Sequence, residues 1–333
     1  MPSFLQSQQW AEFKQIQGWR SYRISGFFAL ERALPLGIKL LYFPELGLTP
    51  SKSKLSGLKS RRKVGIPSVA SGLKKLINET KQFSKKEGVS FARIEFFEEL
   101  DERDEKSIAQ SNRVLTKLGL RKSSEEMQPE HRQVIDLTLS EQELLAQMKP
   151  KGRYNIKVAQ RHSVVVQKFQ ISNLKSQKQL TVFYQLYRET AARDGFTPRS
   201  FDYFSHMSTQ MTRHMSCYIA ICQGKPLATA LVIFYQGRAS YLYGGSSSNH
   251  RELMAPHLLH WQIIKDAKAA RMKYYDLGAV APSNQPHHKF AGLGRFKQSL
   301  GGRAVRVLGS YDLIFDPLRY RLFGLVEKLR GRF

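Results

Sequence analysis

Three runs of apolar, β-branched and aromatic residues follow one another with no helical segment between them: "CYIAIC" (217–222), "PLATALVIFY" (226–235) and "ASYLYGG" (239–245). Their composition and length mark three successive strands. The helical stretch "APHLLHWQIIKDAKAA" and the strand "KYYDLGAV" come next. Upstream lie the strand "SVVVQKF" and two helices, around Ser176–Arg193 and Ser200–Arg213. A meander set inside a helix–strand series can bury its apolar faces in few ways, and the layered solution is an α/β (α+β) domain.

This order is how an N-acetyltransferase-like domain is built, and the first half of the chain is compatible with the same unit. There, "QQWAEFKQI" reads as a short helix, followed by the strands "SYRISGFFAL" and "KLLYFPE". The apolar spacing of Val69, Leu73, Leu76, Ile77 and Phe83 predicts a helix over Ser68–Glu87. The strand "GVSFARIEFF", a charged helix over Glu102–Leu118 and the strand "QVIDLTL" follow. Ser140 and Glu143 form a capping box for another short helix. At 333 residues the chain has room for two such domains.

Charge narrows the function. Fifty-three Lys and Arg against 27 Asp and Glu leave +26, with a pI near 10.1. With 41% hydrophobic residues the chain is globular, so the excess implies a polyanionic partner: RNA, DNA, an acidic lipid surface or a phosphorylated substrate. Residues 51–63, "SKSKLSGLKSRRK", hold six cations and no anion. In "KPKGRYNIKVAQRHSVVV", Arg153, Lys157 and Arg161 stack along one helical face beside an apolar face marked by Tyr154 and Val158. The valines that follow predict a buried strand. The basic ladder reads either as a solvated face or as a phosphate-binding one. The only cysteines, Cys217 and Cys222, fall on opposite faces of one strand, which disfavours a disulfide or a metal site. No apolar run reaches the roughly 18 residues that span a bilayer, and "MPSFLQSQQW" lacks a secretory apolar core. A cytoplasmic location is expected. The closing "DPLRYRLFGLVEKLRGRF" is an amphipathic helix with basic residues on its polar face; packing back onto the protein is its first reading and a membrane-surface contact its second.

Several motifs, in order, resemble the Fem family of peptidoglycan aminoacyltransferases (the FemX, FemA and FemB group). "FLQSQQWAEFKQIQGW" is similar to the family's opening Q-x-x-W-x-x-x-K, and "KGRYNIKVAQRHSV" to its K-x-R-Y-N-I-R helix. "YLYGGSS", "APHLLHWQIIKDAK" and "YYDLGAV" follow in place, and "GRFKQSLGG" resembles the closing R-F-K-x-x-F-G. The resemblance runs from about residue 4 to 320. "PELG" stands where the family has R-G-P; Ser163 and Ala279 replace common glycines; and there is no room for a coiled-coil arm, so the compact FemX type is the match. The resemblance implies two N-acetyltransferase (GNAT)-like domains. Residues 1–138 with 309–333 would form a precursor-binding domain whose C-terminal helix returns to it. Residues 139–308 would form the domain holding the aminoacyl-tRNA end and the precursor cleft. It also implies two partners, aminoacyl-tRNA and a UDP-linked or lipid-linked muropeptide precursor, with no metal and no organic cofactor. The cationic ladder of Arg153, Lys157 and Arg161 then suits the tRNA backbone.

Carried over residue by residue, the resemblance makes Lys14 a contact to precursor phosphate, where otherwise it is a solvated lysine. "TPRSFDY" supplies Thr197, Arg199 and Tyr203 for the same precursor, Arg with the planar fork that binds two phosphate oxygens; Ser200 there also reads as a helix cap. Tyr243, just before two glycines, is a further binding residue or a core one. Glu95 takes the place of a family aspartate near the acceptor amine, with a structural pairing to Arg93 as the other reading. Phe296 and Lys297, in "GRFKQSLGG", line the aminoacyl end: Lys297 beside the ester carbonyl where negative charge develops, Phe296 against the terminal adenine or excluding water. Their other reading is core and surface. His287 and His288 belong to a loop. No G-x-S-x-G or reactive-cysteine signature is present, and an aminoacyl ester needs none, being already activated. Two other classes stay open: a non-catalytic RNA-binding protein, which the charge alone supports, and a coenzyme-A-dependent GNAT N-acyltransferase. The latter needs a glycine-rich strand-to-helix loop, for which only the late "GLGRF" is a candidate.

Overall fold

The computed structural model describes residues 3–47, 70–101, 105–171, 177–285 and 287–330. The cationic stretch 51–63 and Val69 lie outside the described residues. The chain divides into two compact units, Met1–Glu130 with Arg306–Phe333, and His131–Val305.

Unit one opens with α1 (Gln8–Ile16), capped by the Ser7 side chain and seated on Trp10, Ala11 and Phe13. Strands β1 (Arg20–Ile24), β2 (Phe27–Ala33) and β3 (Lys39–Leu46) form an antiparallel meander. Helix α2 (Ala70–Glu87) then crosses to β4 (Phe91–Asp101), which lies parallel to β3 as a helical crossover allows. Helix α3 (Glu105–Lys117) and the short β5 (Arg121–Lys122) follow. Alternation along β4 sorts its side chains. Ile94 and Phe96 enter the apolar core with Leu73, Leu76 and Leu115, while Arg93 and Glu95 are buried on the other face.

Unit two contains β6 (His131–Asp136), α4 (Glu141–Gln147), α5 (Pro150–Arg161), β7 (Val165–Gln170), α6 (Gln177–Asp194), α7 (Phe201–Gln210), β8 (Met215–Cys222), β9 (Lys225–Tyr235), β10 (Arg238–Ser246), α8 (Ala255–Ala269), β11 (Tyr274–Ala279) and α9 (Ala291–Ser299). Its strands lie in the order β6-β11-β10-β9-β8-β7. The meander β8-β9-β10 is antiparallel, and α8 carries the chain across to β11, parallel to β10. The capping box of Ser140 and Glu143 starts α4. One expectation is corrected: β7 is the edge strand of this unit, not a buried one, and Val165 is 57% exposed. A strand with a neighbour on one side only leaves part of its surface in solvent whatever its composition.

Two parallel strands part where the site lies. β10 and β11 pair only over Arg238–Tyr274, Ala239–Tyr275 and Ser240–Asp276. Beyond that, β10 shifts register against β9 between Tyr241 and Tyr243. Likewise β11 shifts against β6 between Asp276 and Ala279, where Gly278 takes φ 72°. Finally β12 (Arg303–Ile314), which from Arg306 belongs to unit one, lies beside β4, and α10 (Pro317–Arg330) follows it.

Candidate functional site

The gap between β10 and β11 is filled from α9. Lys297 is only 3% exposed, and its Nζ donates to the Ala279 carbonyl at 2.7 Å, across the bulge in β11. The Tyr241 ring lies 5.8 Å from the same ammonium. Burial lowers the Lys297 pKa to about 8; Asp276 pulls it upward and Arg132 adds to the fall. Burial alone would push the Asp276 carboxyl up. Its ion pairs with Arg132 and Arg238, both at 3.2 Å, instead hold it below the usual carboxylate range. Its other oxygen accepts the Gly278 amide at 2.8 Å and so shapes the bulge that presents Ala279.

Phe296, half-buried on the same turn, meets two histidine rings edge-on, His257 at 5.0 Å and His260 at 5.5 Å between centroids. Both histidines belong to α8 and are buried, and burial lowers their pKa values to about 4 and about 3. Each is therefore neutral at pH 7. His260 Nδ1 lies 2.8 Å from the Tyr275 hydroxyl, and His257 Nε2 lies 3.2 Å from the Asn155 amide. These histidines, with Asn155 and Asp276, build the surroundings of Phe296 and Lys297, yet pattern reading passes over them. The available signal was two histidines three apart among the leucines and tryptophan that open α8, a polar choice that needs a partner.

A second cluster sits on the opposite face of the sheet. In a regular strand Tyr241 and Tyr243 would share a face; the register shift between them separates them. Tyr241 packs on His260. Tyr243 packs on Tyr187 and Phe204, and its hydroxyl lies 3.1 Å from that of Tyr203. Arg199 is exposed, its guanidinium 5.5 Å from the Tyr203 ring, and Thr197 is exposed two residues earlier. Ser200 caps α7 by accepting the Tyr203 amide, so capping and a solvent-facing Arg199 coexist. The glycines after Tyr243 serve packing: a Cβ on Gly245 would lie 2.4 Å from the Leu186 carbonyl oxygen of α6.

Other sequence-derived candidates are placed differently. Arg153 does not stand free on the basic ladder. Its guanidinium donates to the Met148 carbonyl and, at 3.4 Å, to those of Leu145 and Ala146, closing the end of α4. Lys157 and Arg161 are exposed. Tyr154 is exposed rather than part of the buried face, which is Gly152, Asn155, Ile156 and Ala159. Ser163, in place of a glycine, has φ 57° at the end of α5, the left-handed position where glycine is favoured.

In unit one, the Lys14 ammonium stands 4.8 Å from the Trp19 ring and 5.9 Å from that of Trp10, so two indoles hold it. Glu95 is enclosed, accepting from the Tyr42 hydroxyl, from the Gln128 amide at 2.8 Å and from Ser310 at 3.1 Å. Arg93 does not pair with it. Instead Arg93 forks onto Asp312 at 2.8 and 2.9 Å and reaches Glu125 at 2.8 Å. These contacts fix the Glu95 carboxylate among β3, β4 and β12.

The strand-to-helix loop between β10 and α8 has the amides of Ser247, Ser248 and Asn249 in use. Ser247 N–H donates to the Leu227 carbonyl at 2.8 Å, Ser248 N–H to the Glu189 carboxylate at 2.5 Å and Asn249 N–H to Ser247 Oγ at 3.1 Å. A pyrophosphate there would have to displace a carboxylate. "GLGRF" lies on α9 and not in a loop.

The FemAB family model matches residues 1–225 and 222–328. The chain belongs to the FemAB family. It is 21% identical, over an alignment of 401 residues, to the lipid II:glycine glycyltransferase of Staphylococcus haemolyticus (strain JCSC1435), covering 98% of this chain and 91% of that relative. It is 27% identical over 147 residues to the UDP-N-acetylmuramoylpentapeptide-lysine N(6)-alanyltransferase of Weissella viridescens, covering 44% of this chain and 42% of that one. Both relatives are named as transferases, one a glycyltransferase and one an alanyltransferase. The crystal structure of FemX superposes with a TM-score of 0.77 at 18% identity, covering 96% of this chain and 94% of FemX. The fold is thus shared well beyond what sequence identity reveals.

Proposed function

We propose that this FemAB chain transfers an aminoacyl group from aminoacyl-tRNA to the stem-peptide amine of a peptidoglycan precursor, in the cytoplasm. The observation that carries this reading is Lys297, an ammonium held in the parted strands by the Ala279 carbonyl, with Phe296 and two neutral histidines around it. A cation kept there with no carboxylate bonded to it among the described residues suits a charge that appears only during reaction. The acceptor amine attacks the ester carbonyl, and the carbonyl oxygen becomes an oxyanion beside Lys297. The ester C–O bond then breaks, the ribose hydroxyl leaves with a proton and the attacking nitrogen loses one. With a pKa of about 8, Lys297 is mostly protonated at neutral pH. Phe296 shields the reacting ester from water.

Thr197, Arg199, Tyr203 and Tyr243 are assigned to the precursor, as is Lys14 in unit one; Lys157 and Arg161 are assigned to the tRNA backbone. Arg153 and Glu95, whose side chains are already bonded to protein groups, are left out of the assigned set. The amides already engaged at the β10–α8 loop weigh against a coenzyme-A donor.

The test is incubation with a mixture of charged tRNAs and either a UDP-linked or a lipid-linked muropeptide, followed by product mass. A precursor heavier by an aminoacyl residue is expected, and uncharged tRNA should give none. Tight tRNA binding indifferent to the esterified amino acid, with no product from either precursor, would refute the transfer and leave an RNA-binding protein.

A further inference from the structure

Helix α10 has two apolar faces, and among the described residues only one of them is packed against the protein. Tyr320 and Phe323 pack on Phe91, at 5.1 and 4.9 Å between ring centroids, and the Tyr320 hydroxyl donates to Asp312 at 2.8 Å. Leu318, Leu322 and Leu325 are 77%, 37% and 59% exposed. At about 100° per residue the three leucines cluster on one stripe, roughly 160° around the helix from the two aromatics. The apolar spacing i, i+4, i+7 that ordinarily seats a helix on its core therefore points into solvent. A fourth exposed leucine, Leu36, sits in the turn Pro35–Gly37 with φ 63°, a conformation that Leu adopts at a cost. That turn adjoins α10, since a Cβ on Gly37 would lie 3.9 Å from an Arg319 guanidinium nitrogen.

The charges beside the stripe say what could cover it. Arg319 and Arg321 flank the leucines and are exposed. Over residues 317–333 the sequence has five cations against Glu327 alone. Leucines facing outward between arginines, on a helix anchored to the protein by its opposite face, match an interfacial helix lying at the boundary of headgroups and acyl chains. An acidic protein partner would explain the arginines but would gain little from the leucines. Among the described residues no helix is long and apolar enough to cross a membrane, so the contact is with a surface.

We infer that the Leu318–Leu322–Leu325 face of α10 docks this protein onto an anionic bilayer surface. The inference goes beyond the transfer reaction and stands whether or not that reading holds, because its test uses no transferase substrate.

The test is co-sedimentation of the full chain with phosphatidylcholine vesicles, with and without phosphatidylglycerol, at low and at high salt. The net charge of +26 will by itself attract the chain to anionic vesicles at low salt, so the informative component is the salt-resistant one. Leu318→Gln, Leu322→Gln and Leu325→Gln together should weaken that component on the order of 10²-fold, the loss expected for up to three partly exposed leucines that no longer leave water. The triple variant should melt at the wild-type temperature, since these side chains face outward. In a second arm, Leu322→Trp should show blue-shifted emission on phosphatidylglycerol vesicles; the native Trp10, Trp19 and Trp261 are buried and contribute a constant background. Wild-type and triple-variant proteins binding alike at high salt, or emission from the Leu322→Trp protein that vesicles leave unshifted, would overturn the proposal. So would a leucine-dependent dimer that ignores vesicles, which would assign this face to a second copy of the chain.

Discussion

Replacing Lys297 by Met should make the protein more stable and less active at the same time. In the folded state the lysine titrates at about 8 against 10.5 for an unburied side chain. A difference of about 2.5 pH units is worth roughly 3 kcal/mol. Below pH 8 the ammonium is charged in both states, and the folded protein bears the whole of this cost. Between pH 8 and 10.5 the unfolded chain still holds the proton and the folded one does not, so the wild type gains stability across that window. Above 10.5 the contribution is absent. The Met variant escapes the cost but loses the bond to Ala279, worth about 1 kcal/mol. A net gain of about 2 kcal/mol at pH 7 follows, or roughly 4–8 °C in melting temperature for a unit of this size. Turnover should fall by about 10²–10³, the scale of a lost oxyanion donor. Thermal melts of both proteins from pH 7 to 10.5, subtracted to cancel every other group, should show the variant's advantage shrinking above pH 8. A variant less stable at pH 7, or a difference that ignores pH, would refute the buried cation; near-normal turnover in the folded variant would refute its catalytic role.

Arg199→Ala should raise the KM for the muropeptide roughly 10- to 150-fold, the loss of one charge-assisted phosphate contact, while leaving tRNA affinity nearly intact; an unchanged KM would place Arg199 outside the site. Reversing Lys157 and Arg161 to Glu should weaken tRNA binding and reduce the slope of log affinity against log salt by about two, measured by filter binding across a salt series. Arg153→Ala should lower the melting temperature instead, because its guanidinium closes α4; loss of tRNA affinity without loss of stability would return it to the binding face. Ser163→Gly should stabilise by about 0.5–1 kcal/mol in denaturant unfolding, since its φ of 57° suits glycine. Gly152→Ala should destabilise severely or prevent folding, because the added Cβ would lie 2.1 Å from the Ser299 carbonyl oxygen.

Local pattern carried the element order of this chain. The meander β8-β9-β10, the amphipathic α2 and the capping box at Ser140 are written in composition, period and spacing, which act over a few residues and survive in any fold that uses them. Short motifs in a fixed order carried the family, and with it the interest of Lys297. Neither says how a side chain will be used. That α5 presents Lys157 and Arg161 to water but turns Arg153 onto the carbonyls of α4 depends on where α4 ends. That Glu95 serves Tyr42 and Ser310, while the nearby cation Arg93 serves Asp312, depends on strands more than two hundred residues along the chain. Two register shifts send Tyr241 and Tyr243 to opposite faces and open the gap that Lys297 enters. A bulge adds one residue to a ladder, which alternation in the sequence of one strand cannot reveal, because register is a property of two strands. Burial likewise belongs to the assembled unit: the sequence alone determined that residue 297 is a lysine, and only the packing of α9 against β11 made it a cation poised near neutrality.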